Sequence, residues 1–90
     1  MVNAERRVTV LNELGLHARP AAELVKLAGL FESEIRVTKD GDSVNGKSIM
    51  GVMTLAAECG AELILRAEGA DAEKAVAALE KLVANRFGIK

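Results

Sequence analysis

The chain of 90 residues has no tryptophan or tyrosine and only two phenylalanines, Phe31 and Phe87, so it lacks the set of rings on which single-stranded bases stack. Charge of one sign is also missing. Twelve Lys plus Arg against thirteen Asp plus Glu leave a net charge of −1, without the basic footprint that nucleic acid or an anionic membrane surface requires. Recognition by charge must be local. One cysteine, Cys59, excludes an internal disulfide and a multi-cysteine metal cluster; a cytoplasmic location fits that usage. No apolar run approaches the ~20 residues of a membrane helix, and the start, Met-Val-Asn-Ala-Glu-Arg-Arg, has no signal-peptide stretch. A single proline and a hydrophobic content of 50% exclude a disordered or collagen-like chain.

What is present suits one small domain over residues 1–90. Residues 5–11 alternate around Val8 and Val10, with Arg7 and Thr9 on the other face, as in a half-buried strand. A helix is expected from His17 or Ala18, with Pro20 in its first turn, Ala21, Leu24, Val25 and Ala28 inward, and Gly29 as terminator. Residues 34–39 alternate again, and Asp40-Gly41 supplies a tight hairpin turn into a short strand through Asn45. Residues 48–57 read as a short helix weakened by Gly51. After a turn at Cys59-Gly60, residues 62–68 alternate with Leu63, Leu65 and Ala67 inward. Asp71 is then expected to cap a last helix running to about Asn85. The order β-α-β-β-α-β-α with polar outer strand faces predicts an α+β open-faced sandwich. Its four-stranded antiparallel sheet would be covered on one face by two long helices and one short one.

His17 is the only histidine and stands at the loop-to-helix junction Gly15-Leu16-His17-Ala18-Arg19-Pro20. The positive end of a helix dipole disfavours an imidazolium there, so the expectation is a neutral, nucleophilic ring. Once that ring carries a phosphoryl group, the backbone N–H groups of Ala18 and Arg19 and the Arg19 guanidinium are placed to meet its oxygens. The plain alternative is a solvated cap residue. Ser48 likewise suits an ordinary helix cap. Ile49, Met50 and Met53 suit either a buried stripe or a docking rim, with Val52, Leu55 and Ala56 inward in the second case. Lys26, Lys47 and Arg19 could ring the histidine with positive charge and steer acidic partners, although each lysine alone is equally a solvated side chain. Cys59 is expected to pack as a small hydrophobe. Nothing supports a metal or nucleotide site or a cofactor.

The segment Gly15-Leu16-His17-Ala18-Arg19-Pro20-Ala21 resembles the active-site signature of HPr, the histidine phosphocarrier family of the bacterial phosphoenolpyruvate-dependent sugar phosphotransferase system. Lys47-Ser48-Ile49-Met50-Gly51-Val52-Met53 resembles the regulatory-serine region of the same family. The resemblance runs from about residue 4 to residue 86 and implies a carrier, not a self-sufficient enzyme. It implies that His17 is phosphorylated on Nδ1 by enzyme I and passes the group to IIA domains, with Arg19 as phosphate partner. It further implies that Ser48 is a candidate target of an HPr kinase/phosphorylase, and it favours docking roles for Ile49, Met50 and Met53. The expected protein is a cytoplasmic monomer that binds no nucleic acid and inserts in no membrane. Two departures bear on partner choice: Ala22 replaces a frequent Ser or Thr, and Gly46 replaces a larger apolar residue. The rival readings are a nitrogen-related regulatory phosphocarrier and a binding module acting mainly through Ser48 and the Ile49/Met50/Met53 patch.

Overall fold

The computed structural model describes residues 2–89. Strand β1 (Asn3–Thr9) turns Ala4 and Val8 to the core and leaves Arg7 and Thr9 exposed. It starts earlier and ends earlier than the alternation over residues 5–11 suggests. The reason lies in Val10, which bonds to a turn: its N–H donates to the Ala61 carbonyl at 2.9 Å and its carbonyl accepts from Gly60 N–H at 2.8 Å. Leu11 is exposed beyond it.

Helix α1 (Ala18–Ala28) buries Pro20, Ala21, Leu24 and Ala28 and ends at Gly29 as expected. Strands β2 (Glu34–Lys39) and β3 (Asp42–Asn45) form a hairpin through Asp40 and Gly41, with φ of 49° and 86°, the left-handed pair that such a two-residue turn requires. Helix α2 (Ile49–Thr54), strand β4 (Glu62–Glu68) and helix α3 (Ala72–Ala84) complete the order. The sheet runs β1-β4-β2-β3 and every pairing is antiparallel. Register places Val8 opposite Leu63, Leu65 opposite Val37, and Ala67 opposite Ile35, so the apolar side chains share the face that the helices cover. Each fully buried Leu, Ile or Val is worth about 1.5–3 kcal/mol relative to exposure, whereas exposed ion pairs are worth about 0–1 kcal/mol. The apolar interior therefore holds the open-faced sandwich together.

One charged side chain shares the core-facing parity of β1. Arg6 reaches α3, where Glu73 Oε2 accepts from it at 2.9 Å and Glu80 Oε1 lies 3.4 Å from its Nε. An inward charge on an edge strand discourages pairing with a further strand.

One expectation here needs correction. Asp71 precedes α3 but its side chain makes no cap bond; with φ −104° and ψ 23° the residue is outside the extended conformation that a capping side chain uses. Its carboxylate turns away to accept from the Ser33 hydroxyl and from the N–H groups of Glu32 and Ser33, both at 2.9 Å. Those donors, the Ser33 hydroxyl first, hold the Asp71 carboxyl below its ordinary value. The last helix ends at Ala84 with Asn85 as its C-cap, as expected, and a 3-10 turn over Arg86–Gly88 follows, with left-handed φ of 53°, 58° and 72°. That turn drives Phe87 into the core, where it is 2% exposed. Hydrophobic periodicity carries no signal for a left-handed turn without a leading glycine.

Candidate functional site

The chain enters the site through a loop pinned at two points. Gly15 N–H donates to the Asn12 carbonyl at 2.9 Å, and Leu16 N–H donates to the Ala57 carbonyl at 2.8 Å. Gly15 has φ +72°, and a Cβ there would stand 2.5 Å from the Ala57 oxygen, so only glycine fits. Leu16 is buried. His17 therefore emerges from a fixed stretch of backbone as the N-cap of α1, extended, half-exposed, and with no side-chain cap bond.

The first turn of α1 holds no acidic residue. Ala21 N–H donates to the His17 carbonyl at 3.0 Å, and Pro20 has no N–H, which leaves the Ala18 and Arg19 N–H groups without intrahelical acceptors. Arg19 is exposed and, among the described residues, takes part in no salt bridge. An anion on the His17 ring would meet two backbone donors, the positive end of the dipole and a guanidinium, with no competing carboxylate in that turn.

The ring opens onto a broad hollow shared with Leu14, Met53, Ala56 and Cys59, and Glu13 and Glu58 line it too, so carboxylates stand near the ring outside its own helical turn. Leu14 is 80% exposed, and sequence reasoning passed over it; an apolar side chain inside a turn was the available signal. Cys59 does not pack as a hydrophobe. It is exposed, with Sγ 3.7 Å from the Leu11 carbonyl it donates to, because the turn before β4 carries it away from the core.

Helix α2 spans six residues, not the ten read from the pattern. Ser48 caps it, its Oγ accepting from Gly51 N–H at 3.1 Å. Val52 and Leu55 are buried as expected. Ala56 is not inward: it adopts φ 47°, a left-handed stop that ends the helix and turns it outward into the hollow. Ile49, Met50 and Met53 are 40%, 73% and 40% exposed, so they are not a buried stripe, and Met53 lines the hollow.

The lysines do not ring the histidine. Lys26 lies in the last turn of α1, ~12 Å along the axis from its start. Lys47 Nζ donates to the Phe31 carbonyl at 2.7 Å, beyond the C-terminal end of α1, where carbonyls attract a cation. Of the three cations only Arg19 belongs to the histidine's own turn. Gly46 is explained by packing: its N–H donates to the Ile35 carbonyl at 2.7 Å, and a Cβ would lie 2.6 Å from Ile35 Cγ2. Ala22 is half-buried and lines a hollow with Arg19 and Phe87.

A family model described as "PTS HPr component phosphorylation site" matches residues 4–85. The chain belongs to the HPr family. The phosphocarrier protein HPr of Cupriavidus necator is 49% identical over 84 residues, covering 93% of this chain and 94% of that protein. The crystal structure of HPr-C-His from Thermoanaerobacter tengcongensis superposes with a TM-score of 0.92 at 46% identity, covering 97% of this chain and 98% of that one. An HPr dimer from the same organism gives a TM-score of 0.78 at 48% identity, covering 91% and 94%. The β-α-β-β-α-β-α sandwich is thus the fold of solved HPr structures.

Proposed function

We propose that this chain is a phosphocarrier that accepts a phosphoryl group on His17 from phosphorylated enzyme I and hands it to IIA domains in phosphoenolpyruvate-dependent sugar uptake. The observation that carries the reading is the half-exposed His17 ring at a helix start with no side-chain cap bond, two residues before an exposed Arg19. His17 Nδ1 attacks phosphorus as the donor's bond to it breaks, and the Ala18 and Arg19 N–H groups with the guanidinium take up charge on the phosphoryl oxygens. The reverse exchange on a IIA domain releases the ring. Stabilisation must stay modest, since each ~1.4 kcal/mol held by the carrier costs tenfold in the equilibrium for passing the group on.

Partners dock on the apolar rim of Ile49, Met50 and Met53, and Arg19, Lys26 and Lys47 spread positive charge that favours acidic surfaces. Chemistry beyond transfer lies in the partners, so the chain works as a component and not as an enzyme. It acts as one unit over residues 1–90, as a monomer in the cytoplasm; no helix among the described residues is long and apolar enough to cross a membrane. Where an HPr kinase/phosphorylase is present, Ser48 is its target, and a phosphate beside Ile49 and Met50 hinders docking of an acidic partner.

The test is incubation with phosphoenolpyruvate and enzyme I. One acid-labile, alkali-stable phosphate per chain is expected, as a P–N bond requires. Acid-stable label would exclude histidine as the acceptor.

A further inference from the structure

The loop that leads to His17 begins at Asn12, which sequence pattern marks only as a turn residue. In the fold Asn12 is 6% exposed. Its Nδ2 donates to the Arg86 carbonyl at 2.9 Å, while its own carbonyl closes the turn onto Gly15. Its Oδ1 is buried without a partner. Reversing the amide would set two oxygens against each other, so the nitrogen is the donor.

The acceptor belongs to the left-handed turn Arg86–Gly88. Two non-glycine residues in that conformation cost energy, and the turn is held by buried Phe87 and by the bond from Asn12. The residues after Arg86 form a wall: Phe87, Gly88 and Ile89 line one hollow with Arg19, Ala22 and Glu23. One amide therefore links the loop that ends at His17 to the wall beside Arg19.

We infer that Asn12 is a positioning residue for phosphoryl transfer, fixing the His17 loop against the C-terminal turn and so setting the spacing of the ring and the Arg19 guanidinium. This rests on the carrier reading above. An apolar residue at this position would leave the Arg86 carbonyl without its donor, so the amide joins the two segments through one directed bond that packing alone does not supply. Displacement of reacting groups by ~1 Å can cost on the order of 100-fold in rate, so a tether of this kind acts on turnover more than on partner binding.

The experiment compares the parent chain with Asn12→Ala and Asn12→Leu, measuring transfer from phosphorylated enzyme I well below each unfolding midpoint. Asn12→Leu fills the same space without the donor, so it separates a packing loss from a lost tether. Both variants are expected to lower kcat about tenfold with KM for enzyme I within about twofold, and to shift the His17 ring resonances in NMR spectra of the folded protein. Folded Asn12→Leu with parental kcat and ring shifts would overturn the inference while leaving the carrier reading intact. Failure of the parent itself to be labelled would overturn both.

Discussion

Met53, at the end of α2, lines the same open hollow as the His17 ring at the start of α1. On the carrier reading, a partner seated against Met53 would bring its reactive group near the ring. Met53→Glu adds a like charge against an acidic partner and removes apolar contact. The expected result is a rise of about tenfold in KM for enzyme I with a smaller change in kcat, read from initial rates of labelling.

His17→Ala should abolish labelling while changing stability by no more than about 0.5 kcal/mol, because the side chain is half-exposed and makes no cap bond. Urea unfolding of the variant checks the second part. A large loss of stability would make the histidine a structural residue.

Ser48 caps α2, and two variants separate that role from the proposed regulatory one. Ser48→Ala deletes the bond from Gly51 N–H and should cost about 1 kcal/mol of stability while leaving transfer near the parental rate. Ser48→Asp retains a capping acceptor but places charge on the docking face, and should slow transfer from enzyme I. Equal transfer rates for the two variants would remove the electrostatic argument.

Asp71 gives the fold a pH dependence whose sign is fixed by its donors. Its carboxyl is held below the ordinary value of 3.8 by the Ser33 hydroxyl and the Glu32 N–H, so its contribution to stability is complete above about pH 4 and is lost as pH falls through the depressed native value. Asp71→Asn should therefore unfold at lower urea than the parent at pH 7, and the gap should close toward pH 2. A gap independent of pH would show that the ionised form is not what the three donors hold.

Gly46→Ala should be destabilising by about 1–3 kcal/mol, because its Cβ would fall 2.6 Å from Ile35 Cγ2 in a fully buried part of the sheet. Thermal unfolding reads the loss directly.

Much of this molecule is legible in one dimension because period-two and 3.6-residue patterns report which face is buried. Leu63, Leu65 and Ala67 alternate cleanly, and β4 spans the residues that the alternation marks. The failures have two causes, a group supplied from a distant part of the chain and a local turn that periodicity does not mark. Asp71 looks like a cap until the backbone of residues 32–33 offers better donors. Ala56 looks helical until the helix stops in a left-handed residue, a local backbone conformation that hydrophobic spacing does not report. The histidine junction was readable because its chemistry is local, carried by the cap position and the first turn of one helix. The hollow around it was not, since Leu14, Met53 and Cys59 meet only after the sheet has formed.

Helix α1 begins without a side-chain cap and without an acidic residue in its first turn. Durability alone would favour Ser or Asp in place of His17, worth about 1 kcal/mol. On the carrier reading, a phosphoryl group on the ring would supply the missing negative charge, so the loaded chain should unfold at a higher temperature than the unloaded one. A thermal shift would then report the ratio of loaded to unloaded molecules without any radioactive label.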